Sequence, residues 1–357
     1  MSMLRIDGSM GEGGGQVLRY SLALSALLLK PIEIYNIRAR RDNPGLRPQH
    51  LTAVKAIAEL TNAMVEGAVV GSSRLLFKPR DRLCGDFEFD IGTAGSVSLV
   101  IQAVLPLLLY SDCHSKITIK GGTNVPLSPS IDYTIHVFSH NLRRLGIEFN
   151  IKVHRRGHYP RGGGIVDLEV YPLKNPISPI ELVSRGKPIQ LGVLSYCVKL
   201  PHHVAKRQAD SASSILRKIF GIEPRVVVET YPPDRDPHLG PGSGVLVYVE
   251  TDNGIRLGAD SLGEKGKPAE VVGEEAARVF VEEYETGMAF DRHMGDMLVP
   301  YLFLARGKSI IGVSRITMHL ITAIELSKIF MPSASVEVSG ELGKPGIIVV
   351  NGIGFSP

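Results

Sequence analysis

Tryptophan is absent from the 357-residue chain, aromatic residues make up only 6% of it, and glutamine occurs five times. Three cysteines are present, Cys84, Cys113 and Cys197. Their odd number and wide scatter, without a CxxC pair, predict no disulfide framework and fit a reducing compartment. Cys113–His114 has no second pair of ligands, so a zinc site is not expected there. The start, MSMLRIDG, lacks the apolar centre of a secretion signal. The longest apolar stretch, Val97 to Tyr110, contains Ser98, Gln102 and Pro106 and is too short to cross a bilayer. The expectation is a cytoplasmic protein with no membrane partner. Low glutamine and cysteine beside abundant charge fit a thermophilic source. A net charge of +4 permits a polyanionic partner without demanding one, so the placement of basic residues carries the information.

What is present describes an ordered globular chain, 44% hydrophobic and 21% charged, long enough for more than one domain's worth of core. A pattern recurs along it. LRID, a glycine turn and an apolar helix from about Gln16 to Leu29 precede the strand IEIYNI, a helix from about Pro48 to Thr61, and two strands near Met64–Val70 and Arg74–Lys78. The order returns in DFEFDI, GTAGSVSLVIQAVLPLLLY, KITIKGG, SIDYTIHVFSHNLRRLG and a hairpin around Gly162–Gly164. It returns again in MGDMLVPYLFLARG, SIIGVS, HLITAIELSKIF, SASVEVSG and GIIVVNG. The first-helix turns lie near Gly13, Gly95 and Gly295, so the second gap holds additional chain. That chain, roughly 185–280, shows strands, a helix through Ala209–Phe220 and another from about Ala269 to Tyr284. The expected class is α+β: three βαβαββ units near 1–85, 86–184 and 281–357 sharing one core, with 185–280 as an inserted smaller α+β domain.

Chemistry concentrates in a few places. GSMGEGGGQVLRYS, from Gly8 to Ser21, places Glu12 inside a glycine turn that opens into a helix. Such turns attract phosphates through free N–H groups and the helix dipole, yet this one lacks the Lys–Ser/Thr ending of a P-loop. A carboxylate beside phosphates is costly unless a divalent cation lies between them. NIRARRDNPGLRPQHL gathers Arg38, Arg40, Arg41 and Arg47 before Gln49 and His50 at a helix start, a suitable place for guanidinium forks on phosphate oxygens. The hairpin KVHRRGHYPRGGG is equally basic and suits either nucleic acid or water. Among the histidines, His154 and His158 have helical metal spacing on a strand-and-turn segment, and His202–His203 point in opposite directions. His319 instead falls in the first turn of an amphipathic helix. A positive helix end disfavours imidazolium and leaves a ring able to act as nucleophile or base. Gln102 and Asp296 are polar residues inside otherwise apolar helices.

Taken together, GSMGEGGGQVLRYS, RPQHLTAVKA, GTAGSVSLVIQAVLP, GHYPRGGG and DSLGEKGKPAE follow one another as in RNA 3'-terminal phosphate cyclases, a resemblance that spans essentially the whole chain. It implies three repeats like the C-terminal domain of translation initiation factor 3, plus an insert. It also implies an ATP-dependent reaction that turns an RNA 3'-terminal phosphate into a 2',3'-cyclic phosphodiester. The histidine matching His319 would become a covalent histidyl-AMP and pass the adenylate to the RNA end, giving RNA(3')pp(5')A, from which the 2'-hydroxyl displaces AMP. Arg19, Arg38, Arg41, Gln49 and His50 match phosphate-binding positions. Gln102, His293 and Asp296 match nucleotide-site positions, Pro129 and Tyr133 the pair flanking adenine, and Glu12 a ligand of Mg or Mn. Met297 and Ala323 depart from the family pattern at adenosine contacts. Partners implied are RNA 3'-phosphate ends, with the protein a monomer or homodimer. Enolpyruvyl transferases reuse the unit six times and fit less well. If this reading holds, His319, Glu12, Arg38 and Arg41 converge on one cleft.

Overall fold

The computed structural model describes residues 3–357. A first sheet forms from β1 (Leu4–Asp7), β2 (Ile32–Tyr35), β3 (Met64–Glu66) and β4 (Leu75–Lys78), in the order β1-β2-β4-β3. β1 and β2 are parallel, and the other two pairings are antiparallel. A parallel pair needs a crossover, supplied here by α1 (Gly15–Leu28), while α2 (Pro48–Leu60) joins β2 to β3. A second sheet of β5 (Asp86–Asp90), β6 (Ser115–Gly121), β7 (Phe149–Arg155) and β8 (Gly164–Val170) has the order β5-β6-β8-β7, with α3 (Val97–Leu108) as its crossover. Between β6 and β7 runs a composite helix: α4 (Ile131–Tyr133), a π turn over Thr134–Phe138, α5 (Ser139–Leu142) and a 3-10 turn. Gly146 ends it at φ 77°, a left-handed cap that glycine adopts without strain.

After the short β9 (Glu181–Leu182) the chain leaves this pattern. β10 (Pro188–Val198), α6 (His203–Phe220), β11 (Arg225–Glu229), β12 (Gly242–Thr251), β13 (Arg256–Leu262) and α7 (Ala269–Glu285) build a sheet of order β11-β10-β12-β13, with α6 and α7 packed against each other. The chain then returns through α8 (Arg292–Leu304), β14 (Arg306–Val313), α9 (Met318–Phe330), β15 (Ser335–Gly340) and β16 (Gly346–Ile353). These strands join β9 in the order β9-β14-β16-β15, again with one parallel and two antiparallel pairings. Two-residue β9 is too short to carry a pattern, and it precedes the departing segment instead of following it. β13 lay unread in the sequence because GIRLGADSL alternates poorly, and α6 begins at His203, six residues before the expected Ala209.

Helices α1, α3, α8 and α9 pack together and bury Leu22, Val104, Leu302 and Leu320 completely. The 188–285 segment is fastened through Arg156, only 4% exposed, which binds Asp132 with two nitrogens and Glu229 of β11 with two, over the Tyr196 ring. Removing one partner from such a buried cluster typically costs about 3–5 kcal/mol.

The cysteine expectation is overturned: Cys84 and Cys113 form a disulfide, their Cα atoms 5.6 Å apart, and Cys197 is free and buried. The reason is the pairing of β5 with β6. Cys84 lies two residues before β5 and Cys113 two before β6, and the parallel register sets Asp86 beside Lys116. Spacing in the sequence carries no trace of this. No helix among the described residues is long and apolar enough to cross a membrane.

Candidate active site

Five helices point their first turns at one cleft of about 600 Å³. α1 contributes Gly15, Gln16, Arg19 and Tyr20; α2 contributes Gln49 and His50; α3 contributes Leu99 and Gln102. α8 adds His293, Asp296 and Met297, and α9 adds His319 and Thr322. Helix N-termini carry partial positive charge and unpaired N–H groups, so their convergence favours an anion. α1 is the most open of them, because its N-cap, Gly14, offers no side chain to the first N–H groups. The volume suits a nucleotide-sized ligand.

One end of the cleft is basic. Arg38 is held there by the carbonyls of Asn43 and Gly45, at 2.6 and 3.0 Å, and burial beside Arg47 and Arg41 lowers its pKa. Arg19, which neighbours both His50 and Asp296, makes no hydrogen bond to protein among those described, and burial pushes it down to about 10 against the opposing pull of Tyr20 and Asp296. Burial, with Arg19, Arg38 and Arg47 nearby, pushes His50 down to about 3, so its ring is neutral and its Nδ1 accepts the Arg47 N–H. The glycines of the turn make room for these groups. A Cβ on Gly14 would lie 2.7 Å from the Arg41 guanidinium, and one on Gly15 would lie 2.5 Å from the His50 ring. Gly11, at φ +57°, faces Thr322 Oγ1 too closely for any side chain.

His319 is the second residue of α9, after the N-cap Thr317, whose hydroxyl accepts the Leu320 N–H at 3.0 Å. Gln16 donates to the His319 carbonyl at 2.8 Å and ties α9 to α1. Glu12 Oε2 lies 3.9 Å from His319 Nδ1 and 3.4 Å from Arg41. Burial in the cleft lowers the His319 pKa; Glu12 opposes the shift, while Arg19, His293 and Arg41 reinforce it. The ring is therefore neutral near pH 7. With Nδ1 turned to Glu12, Nε2 is the nitrogen left for a ligand.

The other end is less basic. Pro129 and Ser128 form one wall, His293 and Asp296 another, and Asp260 of β13 a third. Burial pushes Asp296 up to about 7. Asp296 Oδ1 and Gln102 Nε2 are buried without any hydrogen-bond partner, a costly condition that a bound ligand relieves. Beneath these walls sits Asp291, wholly buried, which caps α8 by accepting the N–H groups of His293 and Met294. It also accepts the Tyr133 hydroxyl at 2.6 Å and the Gly258 N–H at 3.1 Å.

The structure thus brings together Glu12, Arg19, Arg38, Arg41, Gln49, His50, Gln102, Pro129, His293, Asp296 and His319. Tyr133 is the exception. It is 1% exposed, its hydroxyl is committed to Asp291, and its ring meets the His293 ring edge-on at 6.0 Å, so it supports the wall instead of lining it. Met297 lines the cleft, while Ala323 is fully buried. Arg40 points back to the Gly11 carbonyl at 2.9 Å. His154 binds Asp167 and His158 binds Tyr196, whereas the His202 and His203 rings meet edge-on at 6.2 Å instead of pointing apart, and no cluster of three metal-ligating side chains exists among the described residues. Asp260 and Asp291 escaped the sequence reading. Asp291, an acid directly before a helical apolar run, carried an N-cap signal.

The profile described as RNA 3'-terminal phosphate cyclase matches residues 10–336. The chain is 64% identical to an RNA 3'-terminal phosphate cyclase of Desulfurococcus amylolyticus and 57% identical to one of Staphylothermus marinus, over 100% of both chains in each case. One from Ignicoccus hospitalis is 51% identical over 98% of this chain and 99% of its own. A solved EPSP synthase from Acinetobacter baumannii aligns at a TM-score of 0.32 and 12% identity, over 99% of this chain and 66% of that one, too distant a likeness to bear on the fold. With a profile match over nearly its whole length and relatives above half identity end to end, the chain belongs to the RNA 3'-terminal phosphate cyclases, a family of enzymes.

Proposed function

We propose that the protein converts an RNA 3'-terminal phosphate into a 2',3'-cyclic phosphodiester at the expense of ATP. The observation that carries this reading is His319, neutral at a helix N-terminus and opening on a cleft with arginines at one end and orphaned Gln102 and Asp296 atoms at the other. ATP would lie with its phosphates toward Arg19, Arg38 and Arg41 and its base between Pro129 and His293. His319 Nε2 attacks the α-phosphorus, a P–N bond forms, and pyrophosphate leaves. A terminal phosphate oxygen of the RNA then attacks the same phosphorus and expels His319, giving RNA(3')pp(5')A. Finally the 2'-hydroxyl attacks the RNA phosphorus, the bond to AMP breaks, and the hydroxyl proton passes to solvent. Adenylation supplies the leaving group that a phosphomonoester lacks. Arginine forks and helix N-termini stabilise the charge that builds on phosphorus oxygens.

Glu12, half-exposed between Arg41 and His319, would hold a divalent cation. One carboxylate, with no cluster of three metal-ligating side chains among the described residues, fits magnesium or manganese, whose remaining ligands would come from phosphate and water. Such a cation supplies charge neutralisation when bound. The three sheets of like order support reading the chain as three βαβαββ units, akin to those in the C-terminal domain of translation initiation factor 3, with 185–280 inserted. The test is incubation with RNA bearing a 3'-phosphate: a phosphatase-resistant end should appear only with ATP, and its absence would sink the reading.

A further inference from the structure

The 188–285 segment lies apart from the helices that build the cleft, yet one of its residues reaches the ligand space. Asp260, on β13, lines the cleft beside Ser128, Pro129 and His293. Its Oδ2 accepts the Ser130 N–H at 3.1 Å, and burial raises its pKa, a shift that Ser130 and the nearby His293 oppose. Two residues earlier on the same strand, Gly258 donates its N–H to Asp291, which also holds Tyr133 and caps α8. Asp291 therefore locks β13, the Pro129 segment and the His293 turn into one frame, and Asp260 lines the cleft within that frame. Around Arg38, Arg41 and His50 the only acid is Glu12, while Arg19 neighbours both His50 and Asp296, so a nucleotide orients with its phosphates toward Arg38 and Arg41 and its base toward Asp260.

We infer that Asp260 is a specificity-determining residue of the nucleotide pocket, its carboxylate accepting a hydrogen bond from the exocyclic amino group of adenine. This rests on the proposed ATP site and makes the inserted segment part of it. A carboxylate oxygen attracts an amino group and repels the keto oxygen that replaces it in hypoxanthine, and sites built for such a bond discriminate strongly against the analogue lacking it. The alternative ligand feature, the ribose diol, is unchanged between the two bases.

The test is equilibrium binding of ATP, ITP and 2'-deoxy-ATP to the full-length protein by calorimetry, which needs no chemistry at His319. The wild-type protein should prefer ATP over ITP by about tenfold or more, as expected where the analogue leaves a buried acceptor without its donor. Asp260→Asn keeps an acceptor for the Ser130 N–H and presents an amide N–H₂ to the base, so the preference should collapse or turn toward ITP. Asp260→Ala should erase it. The 2'-deoxy-ATP to ATP ratio should stay as in the wild type. The inference is overturned if the ATP to ITP ratio is unchanged in both variants, if the deoxy ratio moves instead, or if all three nucleotides weaken equally, as a purely supporting role for the Pro129 wall would give. If the wild-type protein binds no nucleotide at all, the proposed ATP site fails with it; if it binds ATP and shows no covalent label, only the histidyl-AMP step fails.

Discussion

The two ends of the cleft are built differently. The proposed phosphate end is assembled from neighbours in sequence: the turn around Glu12 and the run from Arg38 to His50, with His319 brought in by α9. The proposed base end is assembled from Gln102, Pro129, Asp260 and His293, which the fold gathers from four distant places, the last three fastened through Asp291. Charge dominates the first and hydrogen-bond placement the second. On the proposed reading, the difference teaches that the reactive group sits on a locally coded loop-and-helix frame, while nucleotide choice would depend on long-range folding.

Removing charge from the first end should act on rate. Arg41→Ala should slow covalent adenylation by about 10²–10³-fold, the usual effect of losing one donor to developing charge, with ATP affinity little changed. Rapid-quench labelling checks this, and a pure affinity loss would erase the contrast between the ends. Asp291→Ala should act on stability first, because it strands the Tyr133 hydroxyl and three N–H groups. Orphaned buried groups cost about 1–3 kcal/mol each, so a thermal-unfolding midpoint lowered by many degrees is expected, with nucleotide affinity falling alongside. His293→Ala should weaken ATP binding by about tenfold through lost stacking, leaving the labelling rate at saturating ATP near the wild-type value.

The smallest effect is in pH. Because the His319 pKa is lowered from 6.5, labelling should be flat near pH 7 and fall only as acid protonates the ring below the ordinary imidazole range. Asp296, pushed up by burial to about 7, loses its charge earlier on acidification. ATP affinity should therefore weaken as pH falls through about 7, before the labelling rate does, and Asp296→Asn should remove that inflection. Coincident inflections would mean that the two ends titrate as one unit.

This contrast also explains how much could be read in advance. Glu12, the arginines and His319 were legible because glycine turns, basic runs and a histidine in a helix's first turn announce themselves locally. Tyr133 was misplaced: three residues past the cap Ser130, the composite helix turns its side chain into the core and leaves Pro129 on the cleft. Asp260 is separated from Pro129 by more than a hundred residues, and β13 has too little alternation to be recognised as a strand. The disulfide was equally silent, because only the β5–β6 register brings Cys84 to Cys113.

The central claim is that His319 carries the adenylate. Its most direct test is incubation of the wild-type protein and His319→Ala with α-labelled ATP and magnesium, followed by denaturing gel and acid treatment. Acid-labile label on the wild-type protein alone, with both proteins binding ATP to within about threefold, is the predicted result. Label retained by His319→Ala, or no label on a wild-type protein that still cyclises RNA ends, would contradict it.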